Sequence, residues 1–148
     1  LVVYAQPLVL PREEDYLRGL RARIVAATRP AATALDPTLK TGNYLPNIQA
    51  LRQALAAGDD DAILVTDHGA VAEGATSNVF AVVRGALRTP PVSEGILPGI
   101  TREVVLGLAR GLGLDVAEPR IWPDELRAAD EVFLTSSVRG PIAVTALD

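Results

Sequence analysis

One lysine stands among fourteen basic residues, Lys40, and it opens the run Lys40-Thr41-Gly42-Asn43-Tyr44-Leu45. A primary amine is the side chain that condenses with an aldehyde cofactor to a Schiff base; arginine stays protonated and cannot. Three more polar segments stand at the edges of apolar runs. In Val71-Ala72-Glu73-Gly74-Ala75-Thr76-Ser77-Asn78 a carboxylate precedes small and hydroxyl-bearing residues. In Gly95-Ile96-Leu97-Pro98-Gly99-Ile100-Thr101 a glycine and a threonine open a helix, whose free N–H groups suit a phosphate. Thr135-Ser136-Ser137 adds hydroxyls and amides where a strand ends. Amine, carboxylate and phosphate cradle are together what pyridoxal phosphate needs. Each piece also has a plainer reading: a solvated lysine, a turn acid at Glu73, a helix cap at Thr101, turn residues at Ser136 and Ser137. The residues alone leave pyridoxal chemistry as one option among several.

Composition narrows the field. At 148 residues and 49% hydrophobic, the chain can bury one sizeable core, which makes one domain the expectation. A net charge of −4 with scattered arginines offers no field for nucleic acid or an anionic membrane. Without cysteine there is no disulfide framework or thiolate nucleophile, and with one histidine no usual zinc site; no metal is expected. Asp59-Asp60-Asp61 after Gly58 reads as a solvated turn. The apolar start is too short to span a membrane, is broken by Pro7 and Pro11, and has no basic leader, so the cytoplasm is the default compartment. Both ends adjoin apolar strands, which suggests a piece of a longer polypeptide.

The elements that must hold these groups follow from periodicity. Strands are expected at residues 1–6 and at about 21–27, 62–67, 78–83, 86–89, 116–121, 131–136 and 142–147. Helices are expected at about 12–19, from an Asn43 cap to 57, at 99–112 and at 123–129. Leu45, Ile48, Leu51 and Leu55 form the apolar stripe of the second helix; Val104, Val105, Leu108 and Leu112 form that of the third. Loops at 28–42 and 90–98 carry Lys40 and Leu97. Gly107, Gly111 and Gly113 end a helix instead of forming a dinucleotide fingerprint. His68 reads as a surface residue and Trp122 as a packing residue.

Four ordered motifs make a more specific statement. Lys40-Thr-Gly-Asn-Tyr-Leu-Pro-Asn, Glu73-Gly-Ala-Thr-Ser-Asn-Val-Phe, Leu97-Pro-Gly-Ile-Thr-Arg102 and Ala129-Asp-Glu-Val-Phe-Leu-Thr-Ser-Ser137 resemble the class IV, fold-type IV, pyridoxal-phosphate enzymes. These include branched-chain and D-amino-acid aminotransferases and aminodeoxychorismate lyase. The resemblance covers essentially the whole chain. It implies an α+β fold, the mixed-sheet, barrel-like large domain of those enzymes, over residues 1–148, with the smaller N-terminal domain absent. It implies pyridoxal 5'-phosphate as cofactor, with Lys40 as the Schiff-base lysine and proton shuttle and Glu73 paired with the pyridine nitrogen. Leu97 would pack on the ring, and Tyr44 would lie near its phenolic oxygen. Ile100, Thr101, Ser136 and Ser137 would hold the phosphate, while the amides of Ser137 and Val138 would face the substrate carboxylate.

The implied reaction is amino transfer between a branched-chain or D-type amino acid and an α-keto acid. Pyruvate elimination from 4-amino-4-deoxychorismate is the alternative, and a non-catalytic fragment acting as a dimer partner a further one. The Lys40–Tyr44 spacing looks closer to the D-amino-acid and lyase branches, whereas Gly42–Leu45 and Leu97–Arg102 look like the branched-chain pattern. The family forms homodimers, which the resemblance carries over as an expectation. Because a phosphate-binding arginine normally comes from the small domain, residues 1–148 alone are expected to be weak or inactive.

Overall fold

β1 (Leu20–Thr28) buries Leu20 and Ala22 while Arg21 and Arg23 alternate with them, the period of two that a strand imposes. β2 (Asp61–Val65), buried at all five positions, lies parallel to it with Ala22 opposite Asp61. Such a run is what a strand covered on both faces requires. These strands belong to a computed structural model that describes residues 2–28 and 40–148. β3 (Val71–Gly74) returns antiparallel to β2. β4 (Asn78–Val83) and β5 (Ala86–Arg88) form a hairpin at Arg84 (φ 51°) and Gly85 (φ 77°), the two left-handed residues a tight hairpin turn uses. β6 (Val116–Ala117), β7 (Glu131–Ser136) and β8 (Gly140–Leu147) complete a mixed sheet in the order β3-β2-β1-β8-β7-β4-β5-β6. β3 stands at one end of that order and β4 well inside it, yet only residues 75–77 join them, so the sheet curls into a half-barrel. This is the α+β, mixed-sheet, barrel-like fold that the motifs imply.

Four helices accompany the sheet among the described residues: α1 (Glu13–Arg18), α2 (Leu45–Ala56), α3 (Ile100–Gly111) and α4 (Pro123–Arg127). A core of Leu20, Ala22, Ile63, Val71, Val79, Leu134 and Ile142 lies on one face of the strands, with α4's Leu126 packed in it. On the other face, α2 sets Ala50 and Ala54 against Val25, Ala62 and Leu64, while α3 sets Leu106 and Ala109 against Phe80 and Leu87.

Tertiary packing corrects several expectations. Residues 2–6 form no strand: Val2, Val3 and Tyr4 are exposed and outside any ladder. A strand is made by a pairing partner, and apolar content does not supply one. Tyr44, and not Asn43, precedes the first residue of α2, and no side chain caps it. The two apolar stripes face largely outward. Leu45, Ile48 and Leu55 are exposed on α2, as are Val104, Leu108 and Leu112 on α3. Small residues let α2 approach the sheet closely, so the alanine face is inside although the leucine face has the same period. The run Asp59–Asp61 is no solvated turn. Asp59 pairs with Arg23 (2.6 Å) and Arg21 (3.5 Å), Asp60 with Arg18 (3.1 Å) and Asp61 with Arg139 (2.7 Å). The strand expected at 116–121 shrinks to β6, and Trp122, 43% exposed, leads into α4. Most of the loop at 28–42 lies outside the described residues.

Candidate active site

A cavity of about 1030 Å³ opens where the β3–β4 junction, the start of α3, the end of β7 and the segment before α2 converge. Lys40, Tyr44, Glu73, Leu97, Ile100, Thr101, Ser136, Ser137 and Val138 all line it. The residues singled out by type and by the family resemblance are therefore one set in space, although almost a hundred positions separate the first from the last.

Glu73 is the most constrained of them. It sits on β3, 5% exposed, and its Oε2 accepts a hydrogen bond from the backbone N–H of Leu97 (2.8 Å). Asn78 Nδ2 donates to the Leu97 carbonyl (2.9 Å) and lies 3.5 Å from the same Oε2. One amide side chain thus ties the carboxylate to the loop that precedes α3. Gly99 fits against this clamp, since a Cβ there would come within 2.1 Å of Asn78 Oδ1. Asn47, reaching from α2, donates to the Ala75 carbonyl (2.8 Å) and so fixes the turn after Glu73. A carboxylate held this way keeps one orientation.

Lys40 lies at the other extreme. It is exposed on an irregular segment; its Nζ donates to Tyr44 Oη at 2.5 Å and stands 5.1 Å from the Tyr44 ring centroid. Four residues apart and just before α2, the pair forms a local unit that orients the amine.

The third corner collects donors. α3 begins at Ile100 after Gly99, with no side chain capping its first turn. The first-turn N–H groups of a helix have no partner within it, and the helix dipole adds partial positive charge there. At the end of β7 the Ser136 hydroxyl accepts from the Arg139 amide (3.1 Å), closing the turn that leads to β8. Buried beside this corner, Ser77 Oγ and Thr135 Oγ1 lack a hydrogen-bond partner among the described residues, and both residues line the cavity. Arg102, one residue past Thr101, points away: it is 1% exposed and binds Glu118 (2.6 Å), Glu103 (2.7 Å) and the Pro90 carbonyl (3.0 Å). The Arg102 hydrogen bond, followed by its charge and the contact from Arg110, holds the Glu118 carboxyl below its usual range. This anchors the helix start that faces the cavity.

Sequence reasoning passed over three contributors. Asn78 was visible in its motif, but only its strand position was read. Asn47 closes the Lys40 motif but carries no role there, and Arg139 follows Val138 with no local cue that its guanidinium crosses to Asp61. His68 is exposed, as expected, and also has partners: its Nε2 lies 2.8 Å from the buried Glu94 carboxylate and its Nδ1 3.0 Å from Asp67. No group of three potential metal ligands occurs among the described residues.

The family model for amino-transferase class IV matches residues 1–147. The chain belongs to this family. A relative from Methanocaldococcus jannaschii, named "Putative branched-chain-amino-acid aminotransferase", is 42% identical over 130 residues, which are 88% of this chain and 45% of the relative. The D-alanine aminotransferase of Bacillus licheniformis is 37% identical in an alignment, gaps included, of 156 residues that covers 93% of this chain and 55% of the relative. Solved structures agree. The branched-chain aminotransferase of Thermoproteus uzoniensis with norvaline superposes with a TM-score of 0.85 at 40% identity, covering 88% of this chain and 44% of that one. A second branched-chain aminotransferase, complexed with N-(5'-phosphopyridoxyl)-L-glutamate, gives 0.84 at 35%, covering 88% and 44%. A Legionella pneumophila protein titled "Putative 4-amino-4-deoxychorismate lyase" gives 0.84 at 33%, covering 98% and 51%. The chain thus spans about half the length of the curated relatives it matches.

Proposed function

We propose that residues 1–148 are the large, cofactor-binding domain of a pyridoxal-phosphate-dependent aminotransferase that moves an amino group between a branched-chain or D-type amino acid and an α-keto acid. The observation that carries this reading is the convergence of an amine, a clamped carboxylate and a helix start on one cavity. The donor set fits the cofactor. Exposed Lys40 offers the amine, Glu73 an acceptor for a ring N–H, and the α3 start with the β7 end a cradle of amides and hydroxyls for a phosphate dianion. When bound, pyridoxal phosphate supplies an aldehyde and a cationic ring that takes up the electrons released at the substrate's Cα.

The chain's own residues then divide the work. With the cofactor bound, Lys40 Nζ would be the amine that holds its aldehyde and, when free, the base that carries the substrate's Cα proton. Tyr44 Oη, within hydrogen-bond reach of that nitrogen, steers it. Glu73 holds the proton on the ring nitrogen, and its bond from Leu97 N–H keeps it from turning away. The Leu97 side chain packs on the ring. The amides of Ile100 and Thr101, with Thr101, Ser136 and Ser137 hydroxyls, hold the phosphate, and the amides of Ser137 and Val138 receive the substrate carboxylate. A partner domain outside these residues, and a homodimer, complete the pocket in this reading. No helix of the described residues is long and apolar enough to cross a membrane.

Borohydride reduction of the cofactor-loaded protein followed by peptide mapping is the direct experiment. The pyridoxyl label is expected on the peptide containing residue 40, and a label elsewhere removes Lys40 from the role. The Legionella neighbour, which covers 98% of this chain, favours a second reading, pyruvate elimination from aminodeoxychorismate. Parallel incubations with an amino donor plus keto acid, and with aminodeoxychorismate, separate the two. Absence of any visible absorption with added cofactor would leave a non-catalytic dimer partner.

A further inference from the structure

A second ionic cluster lies outside the cavity and has no part in the chemistry above. At its centre is Glu94, the last residue of a 3-10 turn (Val92–Glu94), with a side chain only 4% exposed. Both carboxylate oxygens are engaged. Oε1 accepts from Arg120 Nε at 2.8 Å, and Oε2 lies 2.8 Å from His68 Nε2. Arg120 precedes α4, and His68 belongs to the turn between β2 and β3, so one carboxylate joins three stretches of chain. Trp122 closes the cluster on the outside, its ring 6.0 Å from the Arg120 guanidinium and edge-on to His68 at 6.4 Å.

The same carboxylate stands three residues before Leu97. Between them, Gly95 takes the left-handed conformation (φ 77°) and its N–H returns to the Val92 carbonyl at 3.0 Å. Ile96 is buried, and the next amide is the one that donates to Glu73. Upstream, Arg102 holds the Pro90 carbonyl. Only the carboxylate is buried here, while Arg120 and His68 stay about half exposed, so solvent screening leaves the pairs little net stability to add. What such a pair does supply is direction: charge-assisted hydrogen bonds fix where the chain sits.

We propose that Glu94 is a positioning residue for Glu73, holding the loop so that the Leu97 amide stays on Glu73 Oε2. Only the catalytic consequence rests on the function proposed above; the mechanical link does not. If Glu73 serves a bound ring, loosening Glu94 acts on turnover and leaves amino-donor binding largely alone, since no cluster residue lines the cavity.

Amide hydrogen exchange followed by NMR on the intact, cofactor-free chain tests the link directly. Glu94→Gln keeps the shape but removes the charge and one acceptor. Its Leu97 amide is expected to exchange roughly tenfold faster, while that of Leu64 in β2 is unchanged. Arg120→Gln and His68→Gln each remove one bond to Glu94 and should each give part of that change. Arg120→Lys, which keeps the charge, should recover some of it. With cofactor and substrates, the same variants should lower kcat with little change in KM. Equal exchange at Leu97 in all variants, or a uniform acceleration at Leu97 and Leu64 alike, overturns the proposal. Should Glu94→Gln fail to fold, the His68 and Arg120 variants decide it on the same criterion. A Leu97 effect in protein that shows no transamination would sustain the link and count against the proposed function alone.

Discussion

The carboxylate side and the amine side of the cavity are built to opposite rules. Glu73 is buried on a strand, bonded to a backbone amide and clamped by Asn78; Lys40 is exposed on irregular chain, steered by the tyrosine four residues on. A group that only has to hold a proton at one place gains from rigidity, because an orientation fixed beforehand costs nothing when charge develops. In the proposed reaction the amine must attach, let go and carry a proton between two atoms, which needs freedom to swing. The fold separates them accordingly. Long-range hydrogen bonds hold the first, and a local contact guides the second.

The largest expected effect falls on the amine side. Lys40→Ala should abolish turnover and the yellow colour of the loaded protein while leaving the far-ultraviolet circular dichroism and thermal midpoint of the cofactor-free protein unchanged, since an exposed side chain contributes little to packing. No second lysine exists to replace it. Retained colour would break the comparison, because the amine would then not be the attachment point.

On the rigid side, Glu73→Gln should leave cofactor bound but slow proton removal at Cα. Losing one charge-assisted bond is worth about 1.5–3 kcal/mol, roughly tenfold to a hundredfold in rate. Single-turnover kinetics with α-deuterated donor would read it. Near-normal rates would reduce Glu73 to a turn acid.

Gly99→Ala sharpens the same contrast by attacking the clamp and not the acid. The new Cβ would meet Asn78 Oδ1 at 2.1 Å, and Asn78 cannot withdraw without releasing Leu97 and Glu73. Overpacking of this kind typically costs about 1–3 kcal/mol. Urea unfolding should show that loss, whereas Gly42→Ala on the amine side, with open space around it, should show almost none.

The smallest effect concerns acid. Glu118 titrates below its ordinary value of 4.5, chiefly through its hydrogen bond from Arg102. Its contribution to stability is therefore complete above that value and is lost as pH falls through the lowered folded-state value. With a third of the side chain exposed, solvent screening keeps the contribution modest. Urea midpoints of wild type and Glu118→Gln should differ near neutrality and converge in strong acid; a gap that widens below pH 4.5 would contradict the assignment.

Much of this was legible in one dimension. The α3 helix, the β4–β5 hairpin and β7 lie within a residue or two of their expected places, because glycines, prolines and local periodicity act on near neighbours. The cavity's residues were legible as types at chain positions next to strand ends and a helix start, where backbone donors are left over. Which face of α2 turns inward was not: Leu45, Ile48 and Leu55 repeat as regularly as Asn47, Ala50 and Ala54, and only the sheet's need for a close approach chooses between them. Nor was the pairing of Asp59, Asp60 and Asp61 with arginines from β1, α1 and the β7–β8 turn, since each partner is remote in sequence.

The sequence by itself determined the chemical inventory: one amine, a carboxylate before a strand, a helix start rich in free amides, and the order in which they come. Types and local propensity are properties of the chain, and they survive without a fold. Tertiary structure alone decided that the four segments share one cavity, that Leu97 lends its amide to Glu73, and that Asn78 and Gly99 interlock behind it. Those contacts depend on hydrogen-bond distances of 2.8 to 3.5 Å between residues at most 24 positions apart, and only the curl of the sheet brings them into register.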